Sequence, residues 1–139
     1  MEDRKWQDIG LLVLRVGVGI MFIVHGWPKL MGGPEKWAYI GGEMAGFAFV
    51  PAFWGFMAAF AECVGGVALI VGLLTRPFAI LMFITMLVAA ATHLKAGDGI
   101  KGAAQAIELG IVFLSLVLAG PGKFSLRQMI DPFKRKWFV

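Results

Sequence analysis

Five ionisable side chains stand inside long apolar stretches of this 139-residue chain: Arg15, His25, Glu62, His93 and Glu108. Each demands a reason, because an unpaired charge at the centre of a membrane helix costs at least about 2.5 kcal/mol. Histidine exchanges protons near neutral pH, and a carboxylate in a low dielectric holds its proton more tightly. Converging on one pocket, His25, Glu62, His93 and Glu108 have the chemistry to pass protons to and from a quinone or a similar redox ligand. A second reading of the same residues is structural: Arg15 forms an ion pair with Glu62 or Glu108 that fixes the bundle, and the histidines serve as hydrogen-bonding groups at the interface. One Arg balances one Glu, so the surplus carboxylate favours the pocket.

The elements that must position these residues are apolar helices. Hydrophobic residues make up 59% of the chain and charged residues 16%, with 19 glycines, which suits a membrane bundle with close helix contacts. Four spans are expected: Ile9 to Gly26, Pro51 to Leu74, Pro77 to Leu94 and Ala103 to Ala119. Each approaches the roughly 20 residues needed to cross the hydrocarbon layer. Arg15, Gly19, Phe22 and Gly26 recur at helical spacing and share one face of the first span, and Pro28 is expected to bend or end it. The glycine-rich connection from Lys29 to Val50 reads as an interfacial segment with a short helix near Glu35 to Ile40, either a lid over the bundle mouth or a connector. In the second span, Gly55, Ala58, Ala59, Glu62, Gly65 and Gly66 form a small-residue stripe for a neighbouring helix. Thr75, Arg76 and Pro77 make spans two and three antiparallel neighbours, and Gly120, Pro121 and Gly122 terminate the fourth. The expected fold is all-α, an integral membrane antiparallel four-helix bundle in one domain over residues 1–139.

Outside the spans, eight Lys and Arg lie on the side of the termini and four on the other, placing both termini in the cytoplasm. Trp6 and Trp137 fall at one interface, and Trp27, Trp37 and Trp54 at the other. The basic tail from Lys123 to Val139 reads as a contact for anionic lipid headgroups, not for nucleic acid. The lone Cys63 excludes an internal disulfide and a CxxC pair, and reads as a buried thiol. No HExxH, Glu-x-x-His or CxxCH motif is present, so metal and haem are not expected.

Four pieces carry a family resemblance: His25-Gly26-x-x-Lys29-Leu30, Glu62-x-x-Gly65-Gly66, Gly72-Leu73-x-Thr75-Arg76, and Gly120-Pro121-Gly122 before Ser125-Leu126. In this order, with Arg15 ahead and His93 closing the third span, the chain resembles the DoxX family of small bacterial four-helix inner-membrane proteins. The resemblance implies a multi-pass protein of redox metabolism, either a quinone-interacting oxidoreductase subunit beside a separate redox subunit or homodimer partner, or part of an oxidative-stress complex. It implies cofactor contacts at Arg15, His25, Lys29, Glu62 and His93, with Arg76 as a further motif position. A scaffold or assembly factor and a small-solute permease are the competing classes.

Overall fold

In the computed structural model, which describes residues 2–130, the fold is all-α with four apolar helices long enough to cross a membrane. The expectations that rest on Lys134, Arg135, Lys136 and Trp137 lie outside the described residues. The elements are α1 (Glu2–Leu30), α2 (Gly33–Ala38), a π-helical turn (Tyr39–Met44), α3 (Pro51–Val71), α4 (Thr75–Lys95), α5 (Gly99–Ala119) and α6 (Leu126–Ile130). The spanning helices α3, α4 and α5 have 21 residues each, about 31 Å at 1.5 Å per residue.

Helix α1 corrects the expected end of the first span, because it runs through Pro28 to Leu30. A proline this close to a C-terminus forfeits one hydrogen bond of the last turn, and the chain closes there by Met31 N–H donating to the Trp27 carbonyl at 3.0 Å. Lys29 is therefore carried on the same helix as His25, four residues on and on the same face.

Close approach of α1 to α3 depends on two glycines. A Cβ added at Gly19 would lie 2.7 Å from the Gly66 carbonyl oxygen, and one at Gly66 would lie 2.7 Å from that of Gly19. The expected face of α1 is the buried one: Arg15, Gly19, Phe22 and Gly26 are its buried positions. The small-residue stripe of α3 serves three neighbours instead of one. Gly66 meets α1, Gly65 meets Met82 of α4, and Gly55 abuts the backbone of Trp37 in α2.

Helices α4 and α5 pair through Met82, Met86, Ala90, Ala103, Ala106 and Phe113. The α3–α4 turn lies earlier than the sequence implied: α3 ends at Val71, Gly72 takes φ 75°, and α4 begins at Thr75, so Thr75, Arg76 and Pro77 form the first turn of α4 instead of the connection. Between the two helix pairs, α1 meets α5 through an edge-on contact of Phe22 with Phe113, ring centroids 4.8 Å apart. Segment α2 and the π-helical turn pack on the first half of α3, with the Trp37 ring 5.0 Å from that of Phe56 and Trp37 Nε1–H donating to the Lys29 carbonyl at 3.0 Å.

Candidate functional site

The interior charges reach toward opposite ends of the bundle, Arg15 to the last turn of α3 and Glu62, midway along α3, to Lys29 in the last turn of α1. Arg15 is fully buried, yet it is paired with neither Glu62 nor Glu108, which corrects the expected ion pair. Its guanidinium donates through Nη1 to the Leu69 carbonyl at 2.8 Å and through Nη2 to the Phe124 carbonyl at 2.6 Å. Leu69 belongs to the last turn of α3, whose final carbonyls have no helical partner and carry the negative end of the helix dipole. Arg76 acts similarly on α5, with Nε–H donating to the Val117 carbonyl at 3.1 Å. The same end is tied to the start of α1, where the Lys123 amide donates to Asp8 Oδ1 at 2.9 Å.

At the other end, the partner of Glu62 is Lys29, Nζ to Oε1 2.7 Å. The register set by the glycines explains the pairing. Gly26 presses on the base of Glu62, where an added Cβ would lie 2.6 Å from the Glu62 Cβ, and Lys29 follows one turn later. Glu62 is only 3% exposed while the Lys29 side chain is 36% exposed, so the ammonium reaches in from the rim. The second carboxylate oxygen, Oε2, is buried with no hydrogen-bond partner among the described residues. Such an acceptor is costly, about 1–3 kcal/mol and more for a charged group.

Glu62 lines a cavity of about 140 Å³ between the four spanning helices. Its floor is apolar, with Phe22, Met86 and Ala106, and its polar lining is His25, Lys29, Glu62, His93 and Gln105. The space has a simple origin. Phe22 and Phe113 fill the gap between α1 and α5, and toward the Lys29 end α5 brings the small Ala106 and Gly102 to the space, with Gln105 and Leu109 at its sides. The structure thus brings His25, Lys29, Glu62 and His93 to one cavity and leaves Arg15 and Glu108 out of its lining. Glu108 is exposed on the outward face of α5 at mid-span, with Ile111 and Ser115. Its place in the lining is taken by Gln105, one turn earlier.

His93 has a partner that the sequence reading passed over. Its Nδ1 lies 2.8 Å from Asp98 Oδ2, across the turn that joins α4 to α5. The signal was a carboxylate five residues beyond the histidine at the head of the next span. His93 and Asp98 also line a second, larger cavity of about 450 Å³ beside the π-helical turn, with Glu43 and Lys95. Among the described residues, no three His, Cys, Asp or Glu side chains come together as metal ligands.

The geometry separates the motif pieces. Gly72 to Arg76 and Gly120 to Ser125 meet around Arg15, whereas His25 to Leu30 and Glu62 to Gly66 meet at the cavity. The sequence pattern of the DoxX family matches residues 10–95. The chain is 32% identical over 137 residues to the inner membrane protein YqjF of Escherichia coli (strain K12), covering 96% of this chain and 99% of that one. It is 33% identical over 130 residues to CatD of Bacillus subtilis (strain 168), whose name assigns it provisionally to the oxidoreductases, covering 94% and 90%. The E. coli inner membrane protein YphA is 28% identical over 140 residues, covering 91% and 98%. No solved structure matches. These similarities point to redox metabolism at the membrane, and with four helices able to span the bilayer the chain is a multi-pass inner-membrane protein that belongs to the DoxX family.

Proposed function

We propose that this chain supplies a quinone-binding, proton-exchanging site to a membrane redox complex. The observation that carries the reading is the convergence of His25, Lys29, Glu62 and His93, from three helices, on one cavity with an apolar floor. Such a cavity with a few convergent polar groups is the usual form of a small-ligand site. Reduction of a quinone to its quinol takes up two electrons and two protons. His93 and Glu62 exchange the protons, and a separate subunit carrying a flavin or a metal centre supplies or accepts the electrons. The similarity to CatD supports the redox assignment.

With the ends of α1 and α5 that meet through Asp8 and Lys123 at the cytoplasmic face, the cavity lies toward the outer side. This orientation draws on the positive-inside bias of the whole sequence. The outward face of α5 is the contact for the separate subunit. Glu108 is a carboxylate at mid-depth, where ionised side chains face a partner and not lipid. A second copy related by a twofold axis along the membrane normal would bring Glu108 against Glu108, so the complementary partner is a helix bearing a basic or hydrogen-bond-donating side chain.

Binding to the purified protein in nanodiscs tests the site. Titration with short-chain quinones, in both redox states, should show saturable binding that is lost in Glu62→Leu and His93→Ala. Absence of binding in either redox state overturns the reading.

A further inference from the structure

His25, Lys29 and Gln105 bring donors to the cavity, but its one buried polar atom without a partner among the described residues is an acceptor, Glu62 Oε2, and that acceptor points to the form of ligand the cavity takes. As the partner of the Lys29 ammonium, Glu62 is a carboxylate, which only accepts hydrogen bonds. One of its oxygens is satisfied by Lys29 and the other, Oε2, is buried without a partner among the described residues. His93 adds a second acceptor. The Asp98 carboxylate also only accepts, so His93 Nδ1 must carry the hydrogen that joins them. In the neutral ring that leaves Nε2 as a lone pair, its tautomer fixed by Asp98.

An oxidised quinone presents two carbonyl oxygens, which are acceptors, and would leave these groups facing like with like. A hydroquinone presents two O–H donors. The size agrees with one ring: an apolar cavity of about 150 Å³ holds benzene, and this one is about 140 Å³. His25 and Gln105 at the rim are exposed, so ring substituents can project from the mouth.

We propose that the cavity is a site for the reduced form of a single-ring quinone, with Glu62 Oε2 and His93 Nε2 accepting from its two hydroxyl groups and Asp98 positioning His93. The proposal rests on the quinone reading above and adds to it the redox state and ring size of the preferred ligand.

The test compares tetramethyl-1,4-benzoquinone with its hydroquinone, titrated anaerobically into the full chain in nanodiscs. Every ring carbon of this probe is substituted, which keeps it from alkylating Cys63 or Lys29. The hydroquinone should bind about tenfold tighter or more, the discrimination expected when the wrong ligand leaves the buried Glu62 Oε2 unpaired. In Glu62→Gln an amide N–H₂ can stand in place of Oε2 while the amide oxygen keeps Lys29, so the preference should shrink or reverse. Asp98→Asn gives the same readout at an exposed position with little risk to folding, because an asparagine can donate to Nδ1 and move the imidazole hydrogen to Nε2. Equal affinities, or tighter quinone binding, overturn this inference and leave the quinone site standing. Binding of neither form overturns both. An unchanged preference in both variants removes Glu62 and the His93–Asp98 pair as its cause and overturns the inference as well.

Discussion

At the Arg15 end of the bundle a fully buried guanidinium is held by backbone carbonyls, while at the Lys29 end a buried carboxylate keeps one oxygen without a partner beside a cavity. Both ends contain an ionised side chain out of reach of bulk water, and both rest on glycines that let α1 and α3 close together. They differ in what receives the charge. The Leu69 carbonyl in the last turn of α3 is fixed and already negative, and with the Phe124 carbonyl it holds Arg15; the Arg15 Nε and the Thr75 hydroxyl are buried without a partner among the described residues, but neither lines the cavity. Glu62 has one partner, and that partner is a flexible lysine half in solvent. Two backbone acceptors fix the charge at one end, whereas at the other the unused hydrogen-bonding capacity faces a cavity, which is the division expected of a scaffold that carries a site.

The largest effect that tests this division is on stability. Arg15→Met removes two charge-assisted hydrogen bonds and leaves the Leu69 and Phe124 carbonyls without their donor. A loss of about 3 kcal/mol or more is expected, read as a fall in the Tm of the detergent-solubilised protein on the order of 10 °C. Hydroquinone affinity per folded molecule should stay at the wild-type value. A large loss of affinity without a loss of Tm would reverse the roles assigned to the two ends.

Lys29→Met is the counterpart at the other end. It leaves Glu62 buried with neither oxygen paired. Because the lysine is partly in solvent, the stability loss is smaller, about 1–2 kcal/mol. Affinity should fall at least about tenfold, since the released carboxylate is no longer held as an oriented acceptor. Ligand titration and thermal unfolding on the same preparation separate the two quantities.

Gly66→Ala and Gly26→Ala make the same chemical change at two depths of one interface. Each added Cβ overlaps α1 or α3 and should cost about 1–3 kcal/mol. They should differ in binding. At Gly66 the overlap is with Gly19 and Ile23, whereas at Gly26 it is with Glu62 and Cys63. Only Gly26→Ala should therefore move the carboxylate and weaken hydroquinone binding severalfold.

The buried face of α1 was legible because Arg15, Gly19, Phe22 and Gly26 are spaced as one helical stripe, and the four spans were legible from length and apolar content. The partner of Arg15 was not. Pairing by charge and depth chose Glu62 and Glu108, but depth says nothing about rotation around the axis, and unpaired helix-end carbonyls compete well for a guanidinium. The Lys29–Glu62 pair was hidden because Pro28 reads as a stop, and only a helix that continues past it carries Lys29 onto the His25 face. Asp98 was hidden in a glycine-rich loop whose path to His93 is a matter of backbone geometry. Glu108 was assigned to the pocket because an apolar helix gives no inward face by periodicity, and nothing in the sequence shows that the stripe of Glu108, Ile111 and Ser115 points outward.

The smallest expected effect belongs to that stripe. Glu108 lies at neither end of the bundle and outside the cavity lining, so Glu108→Leu should change the stability of the isolated chain by no more than about 0.5 kcal/mol, as for an outward position without partners. Hydroquinone affinity should also be unchanged, in contrast with Lys29→Met. What should change is assembly: after mild solubilisation from native membranes, the wild-type chain should run by light scattering at the mass of a complex with a different subunit, and the variant at its own. Glu108→Gln should retain part of the association, because an amide can still accept a hydrogen bond from a donor on the partner helix. If the wild-type complex has the mass of two copies of this chain, the twofold arrangement that sets Glu108 against Glu108 replaces the partner helix. If instead Glu108→Leu weakens hydroquinone binding as much as Lys29→Met does, the cavity extends around α5 to its outward face, and the separation of site from surface is lost.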